Sequence, residues 1–532
     1  MWKRIKNLVH RENSLFGAAG ILIFTMTLSN VLGLLRDHYL ARNISTHNLD
    51  IYYAAFRIPD LIFNILIFGA ISAAFIPVFT NLISKGGKAD GFKLANTLIT
   101  LGSSALIILS VILFVIMPYL TPLIVPNFDL ERTAKTTELS RILLLSPIFF
   151  SVSYFIGGML NSFKRFVAYS FAPIIYNLAI IFGAVFLAQK FGITAVTWCV
   201  IAGSFLHMLT QVPTAMNLGW KFSPSFDWRI SGVIKVLRLM IPRAIGMGAN
   251  NILLVVYTAI SSALAAGSIA IFNLTNNIQT MPTVVFATSF STAVFPALAH
   301  SISSGDEKSF SSYLGRSIRV IVYLLAPSTA VFILFRAQII RLILGSGKFG
   351  WEDTKMAALT LGWFSFSLIA QGLIPLFAKA FYAKHDTKTP TVISIISIVV
   401  SIAIAYPLSV KMGVAGLALS FSIGSYLNAL ILFLWLKNSV SKVFNLEFAI
   451  SIIKILVASL IMAVAMRSLA HLLYNYVDMQ RFVGVLLQTF ISIFAGVIIY
   501  LSITYVFGSQ ELFWAIRRGV NGNAEDRVEK KA

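Results

Sequence analysis

Long apolar runs restrict this fold more than any other feature of the sequence. Between short polar loops, stretches of twenty or more mostly apolar residues follow one another from residue 15 to residue 508. At 1.5 Å rise per residue, each is long enough to cross a hydrocarbon core about 30 Å thick. No water in that core can satisfy a free backbone, so each run must close its own hydrogen bonds, as a helix does. The alternating ten-residue pattern of a membrane barrel is absent. Hydrophobic residues make up 58% of the chain and charged residues 12%, whereas soluble domains have about 45–50% and about 25%. The runs predict spans at 15–42, 49–84, 93–122, 134–163, 166–189, 194–216, 229–265, 268–303, 310–345, 355–383, 388–411, 413–437, 447–475 and 482–508. The expected fold class is therefore an all-α polytopic membrane protein of about 14 transmembrane helices.

The net charge of +22 would suit nucleic acid if the basic residues formed one surface. They sit instead in short loops, where Lys and Arg set membrane orientation. With a cytoplasmic amino terminus, the inner segments and the helix ends flanking them hold 26 basic residues, against eight in the outer loops. Both termini are thus expected inside, in agreement with an even helix count, and no nucleic-acid partner is expected. The basic start MWKRIKNLVHREN resembles a signal peptide. The following run, from Leu15 to about Asn43, is too long for a signal-peptide core and is read as a retained first helix. Cys199 is the only cysteine, so no intrachain disulfide framework exists.

The chain also repeats itself. SAAFIPVFTNLISKG (72–86) matches STAVFPALAHSISSG (291–305), placing Pro77 over Pro296. Pro173 corresponds to Pro390, and Lys190-Phe-Gly-Ile to Lys411-Met-Gly-Val. An offset that spans six helices gives both copies the same orientation, a parallel repeat about the membrane normal. The expected organisation is a cytoplasmic segment 1–14, an N-lobe 15–216, a C-lobe 217–437, two further helices within 438–508, and a basic cytoplasmic tail 509–532.

Polar residues inside membrane helices are costly and face a cavity or the bundle interior. Four spans carry such stripes: Thr25, Ser29, Gly33 and Arg36; Arg57, Asp60 and Asn64; Arg243, Gly246, Asn250, Tyr257 and Ser261; and Asn273, Asn276, Asn277 and Thr280. Taken singly, Ser29, Gly33 and Gly246 read as close-packing or interhelical polar contacts. Taken together, with Arg36 and Arg57 in the outer half, the stripes point to a hydrated cationic cavity. Guanidinium groups offer bidentate donors to phosphate oxygens. GSGKFG (345–350) fits a Gly-x-Gly-x-x-Gly pattern but has no strand before it, so the dinucleotide reading lacks its context. No Walker A sequence, nucleophile elbow or His-Glu-x-x-His is present. The reading is of a non-enzyme, with no cofactor and no metal site expected.

SNVLGLLRDHYLA (29–41), DIYYAAFRIPDLI (50–62), GGMLNSFKRFVAYSFAPIIYNLAII (157–181), IPRAIGMGANNILLVVYT (241–258) and FYAKHDTKTP (381–390) resemble segments of the MurJ/MviN family. That family belongs to the multidrug/oligosaccharidyl-lipid/polysaccharide exporter superfamily. The resemblance implies two six-helix lobes with alternating access, and a further helix pair forming a groove for a lipid tail. It implies movement of lipid II, the undecaprenyl-diphosphate-linked peptidoglycan precursor, from inner to outer leaflet of a bacterial cytoplasmic (inner) membrane, driven by membrane potential. Lipid II, membrane lipids and the peptidoglycan-synthesis machinery are the implied partners. Arg36, Asp37 and Asp50 match family positions, and Arg57 stands where a basic residue is usual. Together with Ser29, Asn64, Asn250, Asn276 and Asn277 they are the expected substrate-cavity residues. The family's further cavity arginines are replaced by Asn30, Phe63, Asn64 and Asn277, and its Glu before the Gly-Ala step by Phe68. Tyr257 and Ser401 occupy the positions of a second-lobe cation site. The alternatives are a flippase for an O-antigen or capsule unit, and a non-transporting envelope-synthesis scaffold.

Overall fold

The computed structural model describes residues 15–68, 75–230, 232–437 and 446–512, with side chains placed except at 15–23, 67–68, 239 and 241–247. All regular elements among them are helical. The first repeat holds α1 (Leu15–Asn43), α2 (Thr46–Ala55), α3 (Arg57–Phe63), α4 (Ile76–Gly86), α5 (Lys88–Ile124), α6 (Leu130–Leu143), α7 (Ser146–Ser162), α8 (Phe166–Phe182) and α9 (Ala188–Leu209). A short α10 (Val212–Asn217) leads to the second repeat: α11 (Val233–Ser262), α12 (Ser268–Pro282), α13 (Ser289–Ser303), α14 (Glu307–Leu334), α15 (Arg336–Ile343), α16 (Trp351–Phe366), α17 (Leu368–Ala383), α18 (Lys388–Met412) and α19 (Val414–Lys437). α20 (Leu446–Tyr474) and α21 (Phe482–Val506) follow.

The sequence repeat is a structural repeat. A π-helical segment starts at Asn64 and another at Thr283, 219 residues on. α5 and α14 start 219 residues apart, and α6 and α16 start 221 apart. Among the described residues the non-glycine positions with positive φ are Lys164 and His385, again 221 apart. Gly192 (φ 68°) and Gly413 (φ 61°) keep the same offset and turn the chain between antiparallel helices. In the first turn, Gly183 packs against Cys199 and Gly203 against Tyr176 and Ala179. In the second, Gly424 packs against Ser401 and Gly416 against Leu408. Apolar burial adds little to helix association within lipid, so close approach at small residues is the expected device.

By length and hydropathy, nine described helices can cross a membrane, or ten if α16 and α17, bent by 42°, form one span. This is fewer than fourteen, partly because Phe166–Asn217 counts as one apolar stretch of 52 residues. At 1.5 Å per residue that stretch would be about 78 Å long, more than twice the bilayer core. The turn at Gly192 resolves it into two antiparallel arms.

The chain separates into two compact units. One comprises 1–274, 343–353 and 405–417, the other 275–342, 354–404 and 418–532. In the first, Phe75, Phe79, Leu94, Met159 and Leu160 form the buried centre, with Phe75 in ring contact with Phe79 and Phe155. In the second, α20 and α21 are joined to α14 by polar contacts. Tyr500 Oη donates to Tyr323 O at 2.8 Å, Tyr323 Oη lies 3.1 Å from Thr504 Oγ1, and buried Glu511 meets Ser451 Oγ at 2.8 Å and Arg319 Nε at 3.5 Å.

Candidate substrate site

Arg57 opens α3, two residues before Pro59 and about two turns before the π-helical segment. Its side chain is buried, with Nε donating to Thr258 Oγ1 at 2.6 Å and Nη2 to Asn273 Oδ1 at 2.7 Å. Both acceptors are pre-aligned. Thr258 Oγ1 donates to Leu254 O at 2.8 Å, and Asn273 Nδ2 to Ile269 O at 2.6 Å. Both partners are neutral, so these contacts orient the guanidinium without a direct ion pair, while the Asp60 carboxylate three residues on offsets part of its charge.

Arg36 is held differently. Its Nε and Nη2 donate to Asp37 Oδ1 at 3.0 and 2.9 Å, while Nη1 donates to Asn177 Oδ1 at 3.2 Å. Asn177 Nδ2 in turn reaches Ser29 O and Oγ at 3.3 and 3.4 Å, tying α8 to α1. Asp37 is fully buried and the Arg36 side chain is 22% exposed. The guanidinium is therefore oriented, half neutralised and still reachable. Cβ on Gly33, one turn earlier, would meet open space.

Asp50 is engaged through both oxygens. Its Oδ1 accepts from Ala270 N–H at 2.8 Å, and its Oδ2 from Gly267 N–H at 2.7 Å and Arg132 Nη2 at 3.2 Å. Gly267 and Ala270 flank the first residue of α12, whose opening amide groups have no partner within their own helix. Asp50 thus caps α12 from a distant part of the chain, with its carboxylate engaged mainly in that structural role.

Asn64 Nδ2 donates to Asp60 O at 2.8 Å and to Asn251 Oδ1 at 3.3 Å. The expected stripe position Asn250 is exposed, so its neighbour Asn251 makes the contact. In the second unit Asn276 Oδ1 accepts from Gln279 Nε2 at 3.1 Å, and Gln279 Oε1 from Gln371 Nε2 at 3.0 Å. Asn277 O accepts from Thr280 Oγ1 at 2.9 Å. Thr25, Tyr257 and Ser261 are buried, with Tyr257 in edge contact with Phe272. Ser401 donates to Ser397 O at 2.8 Å. The side chains of Arg243 and Gly246 lie outside those described.

Sequence reading missed Asn177, Thr258 and Gln279. Polar periodicity marks a helix face but not which distant polar residue will meet it. A signal did exist for Asn177, one polar side chain in the apolar run PIIYNLAII.

Two helical repeats, with guanidinium and carboxylate groups buried inside long apolar helices, define a membrane transporter. The fold matches an inward-facing multidrug resistance MATE family transporter of the MOP superfamily at a TM-score of 0.66, with 14% identity, over 79% of this chain and 98% of that one. It matches a structure described as lipid II flippase MurJ, inward closed conformation, at a TM-score of 0.76, with 24% identity, over 91% and 98%. The family model for lipid II flippase MurJ matches residues 45–488, and the chain belongs to that family. The lipid II flippase MurJ of Burkholderia cenocepacia is 30% identical over 424 residues, 78% of this chain and 82% of the relative. The probable lipid II flippase MurJ of Buchnera aphidicola subsp. Acyrthosiphon pisum is 28% identical over 495 residues, 92% and 96%.

Proposed function

We infer that this protein is a lipid II flippase, carrying the undecaprenyl-diphosphate-linked peptidoglycan precursor from the inner to the outer leaflet of a bacterial cytoplasmic membrane. The observation that carries this reading is family membership across residues 45–488. The proposed cavity residues are Ser29, Arg36, Asp37, Asp50, Arg57, Asn64, Asn250, Asn276 and Asn277. Among them, Arg57 and Arg36 supply positive charge for the diphosphate. Asp37 orients Arg36, and Asp50 acts by fixing the start of α12. Alternating access between an N-lobe (15–216) and a C-lobe (217–437), driven by membrane potential, completes the mechanism. Fourteen spans with both termini inside, a lipid-tail groove on α20 and α21, and contact with the peptidoglycan-synthesis machinery belong to the same proposal. The test is expression in a bacterium depleted of its own lipid II flippase. Growth and outward movement of lipid II should both be restored. A well-expressed chain that moves none would overturn the reading.

A further inference from the structure

A cavity of about 240 Å³ lies within the first unit, apart from the Arg57 contacts. Its wall carries the rings of Phe63, Phe150, Tyr154 and Tyr176, together with Asp60 and Asn64. The rings form a connected surface: centroids are 5.3 Å apart for Phe63 and Tyr154, 5.5 Å for Phe63 and Phe150, and 5.3 Å for Phe150 and Tyr176. Tyr154 is backed by His207, stacked at 5.9 Å, and His207 Nδ1 is held 2.6 Å from Ser153 Oγ. The wall is therefore fixed from behind.

Asp60 is the unusual member. It is half-buried, and among the described residues its carboxylate accepts no hydrogen bond and has no Lys, Arg or His nitrogen within 4.0 Å. Arg57, three residues earlier, directs Nε and Nη2 to Thr258 and Asn273 instead. A carboxylate in a membrane helix is costly unless it faces a partner or a cavity, and this one faces a cavity walled by aromatic rings. Such rings attract a cation through their negative faces. Hard metal ions are instead held by several carboxylate and carbonyl oxygens, and Asp60 is the one carboxylate among the residues that line this cavity. The volume is below the roughly 300–1,000 Å³ of a drug-sized ligand site, so it suits one group rather than a whole head group.

We propose that the Asp60 cavity binds a primary ammonium group. Two sources share that chemistry: the amine of the precursor's peptide, which rests on the lipid II reading, and a free alkylamine. The test uses the full chain with Cys199→Ala and Asn64→Cys, labelled by an impermeant thiol reagent. Butylammonium should slow labelling at least threefold, while butanol and sodium ions should not. Asp60→Asn should remove the protection, and Phe150→Leu, which keeps the carboxylate, should weaken it. No protection, protection that survives Asp60→Asn, or equal protection by sodium would overturn the site. In proteoliposomes, N-acetylation of the peptide amine should slow lipid II movement by wild type about tenfold and leave Asp60→Asn unaffected. If acetylation makes no difference while butylammonium protects, the ligand is the free amine. If no lipid II moves at all while butylammonium protects, the flippase reading fails and the ammonium site stands.

Discussion

Arg57 Nε meets Thr258 Oγ1 at 2.6 Å, and the hydroxyl it meets is already committed to Leu254 O. The guanidinium is thereby fixed by a group that cannot turn away. Each hydrogen bond to a charged group is worth roughly 1.5–3 kcal/mol net. Arg57→Ala should therefore abolish rescue of a flippase-depleted strain at normal membrane abundance, and Arg57→Lys should rescue partially, because Lys keeps the charge without the planar fork. Thr258→Val should cost less, since Asn273 still orients Nη2. Growth and lipid II movement, normalised to membrane level, give the comparison.

Asp50 and Arg132 define a stability prediction. Removing one partner of a buried ion pair costs roughly 3–5 kcal/mol, because the other charge is left uncompensated. Asp50→Ala also frees the Gly267 and Ala270 amides, whereas Arg132→Ala leaves both donors on Asp50. In detergent, Asp50→Ala should lower Tm clearly more than Arg132→Ala. Equal losses would remove the helix-capping role.

How much of this was legible beforehand differs between fold and site. Apolar run length and the spacing of Lys190-Phe-Gly192 and Lys411-Met-Gly413 exposed the helices and the repeat, because both follow from local chemistry. The FYAKHDTKTP segment carried more than a family mark. His385 takes positive φ there, and Asp386 Oδ1 accepts from Lys388 and Thr389 N–H, both at 3.0 Å, to cap α18. Arg36 and Arg57 were found as charges in apolar runs, but their opposite surroundings were not. Whether a guanidinium meets Asp37 or the neutral Thr258 depends on packing between segments up to 201 residues apart. The Asn251 contact with Asn64 is hidden in the sequence for a similar reason, since one residue on a helix turns the side chain by about 100°.

The polar stripes predict water access. Single Cys at Ser29, Asn64, Asn250 and Asn277 in a Cys199→Ala background should react with an impermeant thiol reagent, and Cys at Leu28 and Ile65 should react far less. The exposed Asn250 position should react faster than the half-buried Asn64. Uniform protection of all six would mean that the stripes serve only helix packing.

Asp386 gives a pH dependence outside the spans. Partial burial alone raises its pKa, but hydrogen bonds from Thr389 and Lys388 and the Lys388 charge outweigh that and hold it below the usual carboxylate range. A lowered folded value means stability that is fully present above the unfolded pKa, about 3.9, and lost as pH falls through the lower folded value. The Tm difference between wild type and Asp386→Asn should therefore be constant from pH 7 to about pH 5 and vanish under stronger acid. Asp386→Ala should lose roughly 0.5–2 kcal/mol at neutral pH, the usual worth of a cap.

Arg36 supplies the last prediction, because its charge is shared. Asp37 Oδ1 takes two of its donors, Asn177 takes one, and the side chain remains 22% exposed. If the exposed part grips an anionic diphosphate, Arg36→Ala should slow lipid II movement by about tenfold to a hundredfold, the equivalent of a bond worth roughly 1.5–3 kcal/mol. Asn177→Ala leaves the charge and removes only the 3.2 Å anchor and the tie to Ser29. Its effect should be a fewfold loss, smaller than that of Arg36→Ala, because the bond removed orients the guanidinium and does not itself grip the substrate. Asp37→Asn separates orientation from neutralisation. It keeps an oxygen acceptor beside Arg36 but cancels the counter-charge, so substrate should bind more tightly and leave more slowly. Proteoliposomes assayed at several lipid II contents distinguish weaker binding from slower turnover. Arg36→Ala moving lipid II at the wild-type rate would remove Arg36 from the diphosphate contact and leave Arg57 as its remaining proposed cation.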